Sequence, residues 1–169
     1  VNAGAIATTS LIEGDIEERT GRIIDVLSQF AGRSLWIDEA VYRSESETGD
    51  RNRALGHLLR SHAIIRGDVD DVVEAYFRQC SAVVTVRDLA VMAGTLAFGG
   101  VNPVTGHRVV SERIARDVVS IMSSCGMYDF SGEWLLRVGL PGKSGVSGGL
   151  LAVAPSQFGV GAFSPRLDV

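Results

Sequence analysis

The spacing of apolar residues changes once along this 169-residue chain, and that change limits the folds open to it. Up to about residue 140 apolar side chains recur every three or four positions, the period of a helix packed on one face. After Gly145 the pattern becomes two short apolar runs divided by a turn, which is typical of a hairpin of two buried strands. The runs are Leu150-Leu151-Ala152-Val153-Ala154 and Gly159-Val160-Gly161-Ala162-Phe163. The sequence predicts an α/β chain of the α+β type, mostly helical over 1–140 and with sheet strands over 141–169.

Capping residues mark several helix boundaries. Asp15 with Glu18, and Thr85 with Asp88, have the spacing of capping boxes ahead of helical apolar patterns. Gly32 is placed to end the first of these helices. Further helices are predicted over 51–61, over 72–80, from 111 to about 123, and over 132–138, with a turn over 102–106.

Composition excludes several classes of function. A formal net charge of -4 and a pI near 5.3 provide no basic field for polyphosphate, so we expect no nucleic-acid partner. No apolar stretch reaches the roughly 18 residues of a membrane span, and the start lacks the signal-peptide pattern, so we expect no membrane partner. Two cysteines are too few for a disulfide framework, which favours a cytoplasmic location. Cys80 lies in an apolar run and is predicted to be a buried free thiol.

The ends of the chain suggest a fragment. The first residue is Val1 rather than methionine, and the segment that follows has no preceding element to place it. The last residues stop just after a turn signal at Pro165. We therefore expect part of a larger domain.

Lys143 is the only lysine, set against 15 arginines, and small residues and glycines surround it. Lys-Ser/Thr-Gly is one of three signature elements of serine acyl-transfer enzymes of the β-lactamase and penicillin-binding class. An ordinary lysine before a strand fits an isolated Lys-Ser-Gly equally well. The nucleophile element of that class, Ser-x-x-Lys, is absent, because Leu140 stands three residues before the only lysine. If the chemistry is of this class, its nucleophile lies outside these 169 residues.

Two other kinds of binding site are not indicated by the sequence. A phosphate-binding P-loop would need glycine where Arg137 stands. A zinc site is not indicated either, because the chain has three histidines, no His-Glu-x-x-His and two distant cysteines. We therefore expect neither a metal nor another cofactor.

Five motifs, taken together, resemble the glutaminase family, which comprises serine-dependent amidohydrolases with a β-lactamase/transpeptidase-like fold. They are Asn2-Ala3-Gly4-Ala5-Ile6, Ser44 to Asn52, Tyr76 to Ser81, Cys125 to Gly132, and Lys143-Ser144-Gly145-Val146. The resemblance covers essentially the whole chain. It implies that 1–169 is a partial glutaminase domain, and that L-glutamine is hydrolysed to L-glutamate and ammonia through an acyl-enzyme on a serine upstream of Val1. It also implies a homodimer or homotetramer.

The resemblance assigns substrate-binding roles to four polar residues. Glu45 would contact the substrate α-ammonium, where a carboxylate offers a charge-assisted hydrogen bond. Asn2, Asn52 and Tyr76 would fix the α-carboxylate and the side-chain amide. Each has a structural alternative: Glu45 as a helix cap, Asn2 as an N-cap, Asn52 as a helix-surface residue, and Tyr76 as a core aromatic with a solvated hydroxyl.

The remaining roles are catalytic. Tyr128 would bind substrate and exchange protons with the nucleophile and the departing ammonia. A phenol is a poor base in water, so a nearby ammonium is needed, either Lys143 or the lysine of the absent Ser-x-x-Lys. Val146 would donate its backbone N–H to the oxyanion hole.

Two alternative functions stay open. One is a β-lactamase or transpeptidase relative, which Lys143-Ser144-Gly145 suits although no Ser-Asp-Asn element is evident. The other is a non-catalytic helical interaction module in which the polar clusters are caps and rims. A Tyr128→Phe change would leave that module unaffected.

Overall fold

A computed structural model describes residues 2–165 of the chain, and within them helices precede a small sheet. The elements of these residues are α1 (Asn2–Ser10), α2 (Ile16–Ala31), α3 (Glu39–Glu47), α4 (Asp50–Ser61), α5 (Val69–Cys80), α6 (Val86–Ala97), α7 (Glu112–Cys125), a 3-10 turn (Tyr128–Phe130), α8 (Ser131–Val138), β1 (Gly142–Ser144), β2 (Gly149–Ala154) and β3 (Phe158–Phe163). The predicted α+β fold class is confirmed. Residues 1 and 166–169, which fall within the predicted 1–169 domain and 141–169 sheet segment, lie outside the described residues.

The chain divides into two compact units. The first comprises the residues up to Val26 together with Leu35–Val83, and the second comprises Leu27–Ser34 together with the residues from Val84 onward. Helix α2 therefore contributes its first turns to one unit and its last turns to the other. No helix of the described residues is both long and apolar enough to cross a membrane.

The first unit is built from helices that pack against α5. Val72, Val73 and Phe77 on α5 are almost fully buried, and Ile6 of α1 joins the same core. Asp68 caps α5, because its carboxylate accepts hydrogen bonds from the amides of the two following acidic residues, Asp70 and Asp71. Burial of one apolar face, together with this cap, positions the helices that carry the predicted substrate-binding residues.

Two helices of the first unit were not predicted. Helix α1 has no acidic residue in its first turn, and its helical state depends on the burial of Ile6 instead. Helix α3 is capped by Asp38, which accepts hydrogen bonds from Ala40 N and Val41 N. The polar run that begins at Ser44 is therefore divided between the end of α3 and the start of α4.

The second unit places helix α6 directly on the sheet. The strands are antiparallel in the order β1, β2, β3, with Ala152 paired to Gly142 on one side and to Val160 on the other. A side-chain carbon added at Gly159 or Gly161 would collide with the backbone of α6. The helix therefore approaches β3 with no layer of side chains between them.

The prediction that both hairpin strands are buried is wrong for β3. Ala152, Val153 and Ala154 of β2 are buried, whereas Phe158 and Val160 of β3 are exposed. Successive residues of a strand face opposite sides, so the glycines facing α6 leave the bulkier side chains on the other face. The short strand β1 was not predicted. Cys80 is exposed rather than buried.

Candidate active site

Asn2 and Asn52 lie together at the starts of helices α1 and α4. Nδ2 of Asn2 donates a hydrogen bond of 2.9 Å to Oδ1 of Asn52. Within residues 2–165 the remaining acceptor, Oδ1 of Asn2, and the remaining donor, Nδ2 of Asn52, have no hydrogen-bond partner. The pair therefore presents both a donor and an acceptor to a ligand, as binding of a zwitterionic molecule requires.

Glu45 occupies the last turn of α3, where its side chain is exposed. It is part of a helix rather than a residue preceding one, and no helix amide among the described residues is capped by its carboxylate. None of the ion pairs formed by the described residues includes it. Glu45 is therefore an accessible anion in the first unit.

Tyr76 is a buried residue of α5. It is only 8% exposed, and its ring contacts that of Phe77 with centroids 6.1 Å apart. Its hydroxyl also interacts with the thiol of Cys80, one turn along the helix. Although Cys80 as a whole is exposed, partial burial of its thiol raises the pKa of Cys80; the hydrogen bond with Tyr76 lowers it, and the charge of Glu45 raises it. Glu45 and Tyr76 thus both affect the pKa of the same thiol.

A carboxylate that the sequence did not single out, Glu74, connects three helices of the first unit. It accepts hydrogen bonds from Tyr42 OH at 2.9 Å and from Ser46 Oγ at 3.0 Å, and it forms an ion pair with Arg53 at 2.7 Å. Burial, and next the hydrogen bond to Glu74, raises the pKa of Tyr42. Glu74 stands at least 21 residues from each of these partners in the sequence, so no local motif could have revealed the cluster.

In the second unit, Tyr128 and Lys143 are in contact. Nζ of Lys143 lies over the Tyr128 ring, 4.6 Å from the centroid, and also donates a hydrogen bond to the Ser144 carbonyl. Such a contact is a cation–π interaction. Tyr128 has φ = 57°, in the left-handed region that bulky residues seldom adopt. The side chain is 41% exposed, so the ring is held by Lys143 yet open to a ligand.

Close backbone packing fixes the loop that carries Tyr128. Gly126 ends α7, and a side-chain carbon there would collide with the Gly142 carbonyl of β1. The amide of Ser144 in turn donates to the Gly126 carbonyl at 3.2 Å. Buried Ser131 accepts a hydrogen bond from Met127 N and donates one to the Tyr128 carbonyl. These contacts bring the loop against the strand that carries Lys143.

Val146 lies in the turn that joins β1 to β2. Gly148 N donates to the Gly145 carbonyl at 3.0 Å, which closes the turn. The residue is 78% exposed, and no acceptor within the described part of the chain bonds its backbone N–H. A main-chain donor with no acceptor in the described part of the chain is the kind of group that an oxyanion hole requires.

The structure groups the predicted site residues within each unit. In the first unit Asn2 contacts Asn52, while Glu45 and Tyr76 both affect the pKa of the Cys80 thiol. In the second unit Tyr128 contacts Lys143, while Val146 follows three residues later in the adjoining turn. Their assigned roles remain predictions.

The sequence matches one protein family along its whole length. The family model described as Glutaminase matches residues 1–169. Among curated relatives, Glutaminase 1 of Bradyrhizobium diazoefficiens is 55% identical over 99% of this chain and 28% of its own. A glutaminase of Clavibacter michiganensis subsp. michiganensis is 54% identical over 99% of this chain and 52% of its own. The chain thus spans between about a quarter and a half of the length of these relatives.

Solved structures agree with the sequence match. A crystal structure of Mglu superposes with a TM-score of 0.95 at 47% identity, covering 99% of this chain and 43% of that one. The structure of a probable glutaminase, ybaS, gives 0.96 at 46% identity, covering 99% of this chain and 55% of that one. This chain belongs to the glutaminase family.

Proposed function

We propose that the protein carrying this chain hydrolyses L-glutamine to L-glutamate and ammonia. The observation that carries the proposal is the family match over residues 1–169. A solved structure of Mglu in its glutamate form, 47% identical to this chain, supports an amino acid of this size as ligand.

The first unit supplies groups suited to a free amino acid. Glu45 is an exposed carboxylate and would bind the α-ammonium of glutamine through a charge-assisted hydrogen bond. Asn52 has an amide donor for the α-carboxylate, and Asn2 has an acceptor for the amide nitrogen or the ammonium. Tyr76 would contribute its hydroxyl at the margin of this group. A neutral amide without an α-amino group would gain nothing from Glu45.

The chemistry would proceed through a serine outside these 169 residues. Its oxygen adds to the amide carbon, and the carbonyl oxygen, as it becomes negatively charged, accepts a hydrogen bond from the Val146 N–H. The C–N bond breaks as the nitrogen takes a proton and leaves as ammonia. Water then cleaves the ester, releasing glutamate and restoring the serine hydroxyl.

Tyr128 and Lys143 would manage the proton movements of these steps. Tyr128 would carry the proton from the serine hydroxyl to the departing nitrogen, since its hydroxyl is accessible and its ring is held in place. Lys143 would hold the ring and place a positive charge beside it. Because Nζ lies over the ring face, we assign Lys143 to positioning and electrostatic support rather than to proton transfer.

The cysteine content supports a proposal for the location of the protein, and the family resemblance supports one for its assembly. We propose a cytoplasmic enzyme that forms a homodimer or homotetramer. The described cysteines, Cys80 and Cys125, are both free thiols, which suits a reducing compartment. Light scattering of the purified protein that gave only a monomer would contradict the assembly.

The substrate is tested by measuring product formation by the full-length protein with three compounds, since these 169 residues alone lack the serine and should turn over none of them. Ammonia and glutamate should form from L-glutamine, with less or no product from L-asparagine and no cleavage of a chromogenic β-lactam. Cleavage of the β-lactam without glutamine turnover would favour a β-lactamase-like enzyme instead. No turnover of any of the three would favour a non-catalytic interaction module.

A further inference from the structure

Glu74 is the one residue of the described chain whose carboxylate meets donors from both α3 and α4. Oε2 accepts from Tyr42 OH at 2.9 Å, and both oxygens lie within 3.1 Å of Ser46 Oγ. Oε1 bonds Arg53 at 2.7 Å, while Arg53 also donates to the Ser46 carbonyl at 2.7 Å. The side chain of Glu74 is 19% exposed, so its charge is largely shielded from solvent.

The partners of Glu74 adjoin the predicted substrate-binding residues. Ser46 directly follows Glu45 at the end of α3, and Arg53 directly follows Asn52 at the start of α4. A carboxylate that fixes Ser46 and Arg53 therefore fixes the backbone from which Glu45 and Asn52 project.

Glu74 also pairs with the positive charge of Arg53. Arg53 lies over the Phe77 ring, 5.3 Å from its centroid, and Glu74 neutralises it there. Its guanidinium already contacts the backbone carbonyl next to Glu45. Without Glu74, the guanidinium would lose its carboxylate partner while its hydrogen bond to the Ser46 carbonyl kept it beside the residue that follows Glu45, where it would pair with the Glu45 carboxylate. Glu45 paired in that way could no longer bind an ammonium.

We propose that Glu74 is a positioning residue that keeps Glu45 free and oriented for the α-ammonium of the substrate. This inference rests on the proposed function. Glu74 itself does not touch the substrate. Its contribution is to bind Arg53 and to hold the α3–α4 junction.

The proposal is tested with a pair of substrates that differ only in the ammonium. Glutaramate is glutamine without its α-amino group, so it needs no contact with Glu45. In the full-length protein, Glu74→Gln should raise KM for L-glutamine about tenfold or more, as loss of a charged hydrogen bond predicts. The kcat should stay within about threefold of the parent, and kinetic parameters for glutaramate should change less than about twofold.

Two further variants make the test decisive. Glu17→Gln alters an exposed acid of the same unit, whose contact with Arg78 is 3.8 Å long, and should change neither substrate's kinetics. Ser46→Ala removes one donor to Glu74 and should raise KM for L-glutamine about threefold, which provides a readout if Glu74→Gln does not fold.

The outcomes separate the two proposals. If the parent enzyme releases no ammonia from L-glutamine, the proposed function fails and this inference fails with it. If the parent is active but folded Glu74→Gln affects both substrates equally, or neither, only the role of Glu74 is refuted. Ser46→Ala with unchanged KM refutes that role in the same way.

Discussion

The ammonium of Lys143 lies over the aromatic face of Tyr128, 4.6 Å from the ring centroid, rather than at its hydroxyl. The hydroxyl is therefore left available to a ligand while the ring is held in place. Tyr128 also adopts a left-handed backbone conformation. A strained residue with its hydroxyl free and its ring fixed is typical of a functional position.

We expect Tyr128→Phe to reduce kcat with L-glutamine by about 100-fold or more, because the proton carrier is removed while the ring remains. The free energy of unfolding should stay within about 0.5 kcal/mol of the parent. Steady-state kinetics and chemical denaturation test both statements. Phe130→Leu, which alters an exposed aromatic residue of the same turn, is the control and should retain activity. Full activity of Tyr128→Phe would remove Tyr128 from the mechanism.

Two substitutions of Lys143 test whether activity requires the positive charge of the side chain or its shape. Lys143→Met should lower kcat by about 100-fold or more if positive charge beside Tyr128 is required. Lys143→Arg keeps the charge and stacks on an aromatic face, so it should retain activity to within about tenfold of the parent. The kcat values of the two variants are compared directly. Equal losses in both would show that an arginine cannot replace the lysine and that charge alone is not the requirement.

Glu45→Gln should raise KM for L-glutamine by about tenfold or more, because a neutral amide cannot make a charge-assisted bond to the ammonium. The matched control is Glu47→Gln, since Glu47 is also an exposed acid at the end of α3. The KM of the Glu47→Gln variant for L-glutamine should match that of the parent. Similar changes in both variants would indicate a general charge effect instead of a specific contact.

Gly126→Ala should destabilise the second unit by about 1–3 kcal/mol, because the added carbon meets the carbonyl of Gly142. Gly132→Ala is the control, as nothing lies within 4 Å of its added carbon and alanine favours the helix. Urea denaturation of the two variants measures the difference. Comparable stability would mean that the contact between the loop and β1 is not tight.

Acid should weaken the ion pair between Arg33 and Asp88 within the second unit. The Arg33 guanidinium, 2.5 Å away, lowers the pKa of Asp88 from 3.8 to about 2. A depressed folded-state pKa stabilises the fold above the unfolded value, and the gain disappears as pH falls from about 4 to 2. Because Arg33 is about one third exposed, solvent screening keeps the stabilisation below what the full pKa shift would give.

Asp88→Asn provides the comparison for this pH dependence. The variant should be less stable than the parent near neutral pH, and the difference should shrink between pH 4 and pH 2. Denaturation across that range tests the expectation. A difference that does not vary with pH would contradict a titrating Asp88.

Elements whose boundaries depend on local hydrogen bonds were predictable from the sequence. The capping boxes at Asp15 with Glu18 and at Thr85 with Asp88 are both formed, and α2 and α6 begin where they indicate. Helix α1 was not predicted from the sequence because it is stabilised by burial of Ile6, which is a tertiary contact. Helix α3 was not predicted, although Asp38, which caps it, was a usable signal in the sequence.

The candidate site shows the same division between local pattern and distant contact. Lys143 was conspicuous as the only lysine, and the family resemblance pointed to Tyr128. Their contact depends on a glycine-to-glycine approach between Gly126 and Gly142, which no spacing in the sequence reveals. Glu74 was missed for a related reason, because its donors come from separate helices.

The glycines of β3 have a consequence for how this hairpin tolerates change. At positions 159 and 161 the backbone of α6 occupies the space of any side chain, whereas Phe158 and Val160 point the other way. If the residues of β3 are randomised, the variants that fold should therefore keep glycine at every second position. On the face of β3 that packs against α6 only glycine fits, whereas the residues on the other face can vary in size.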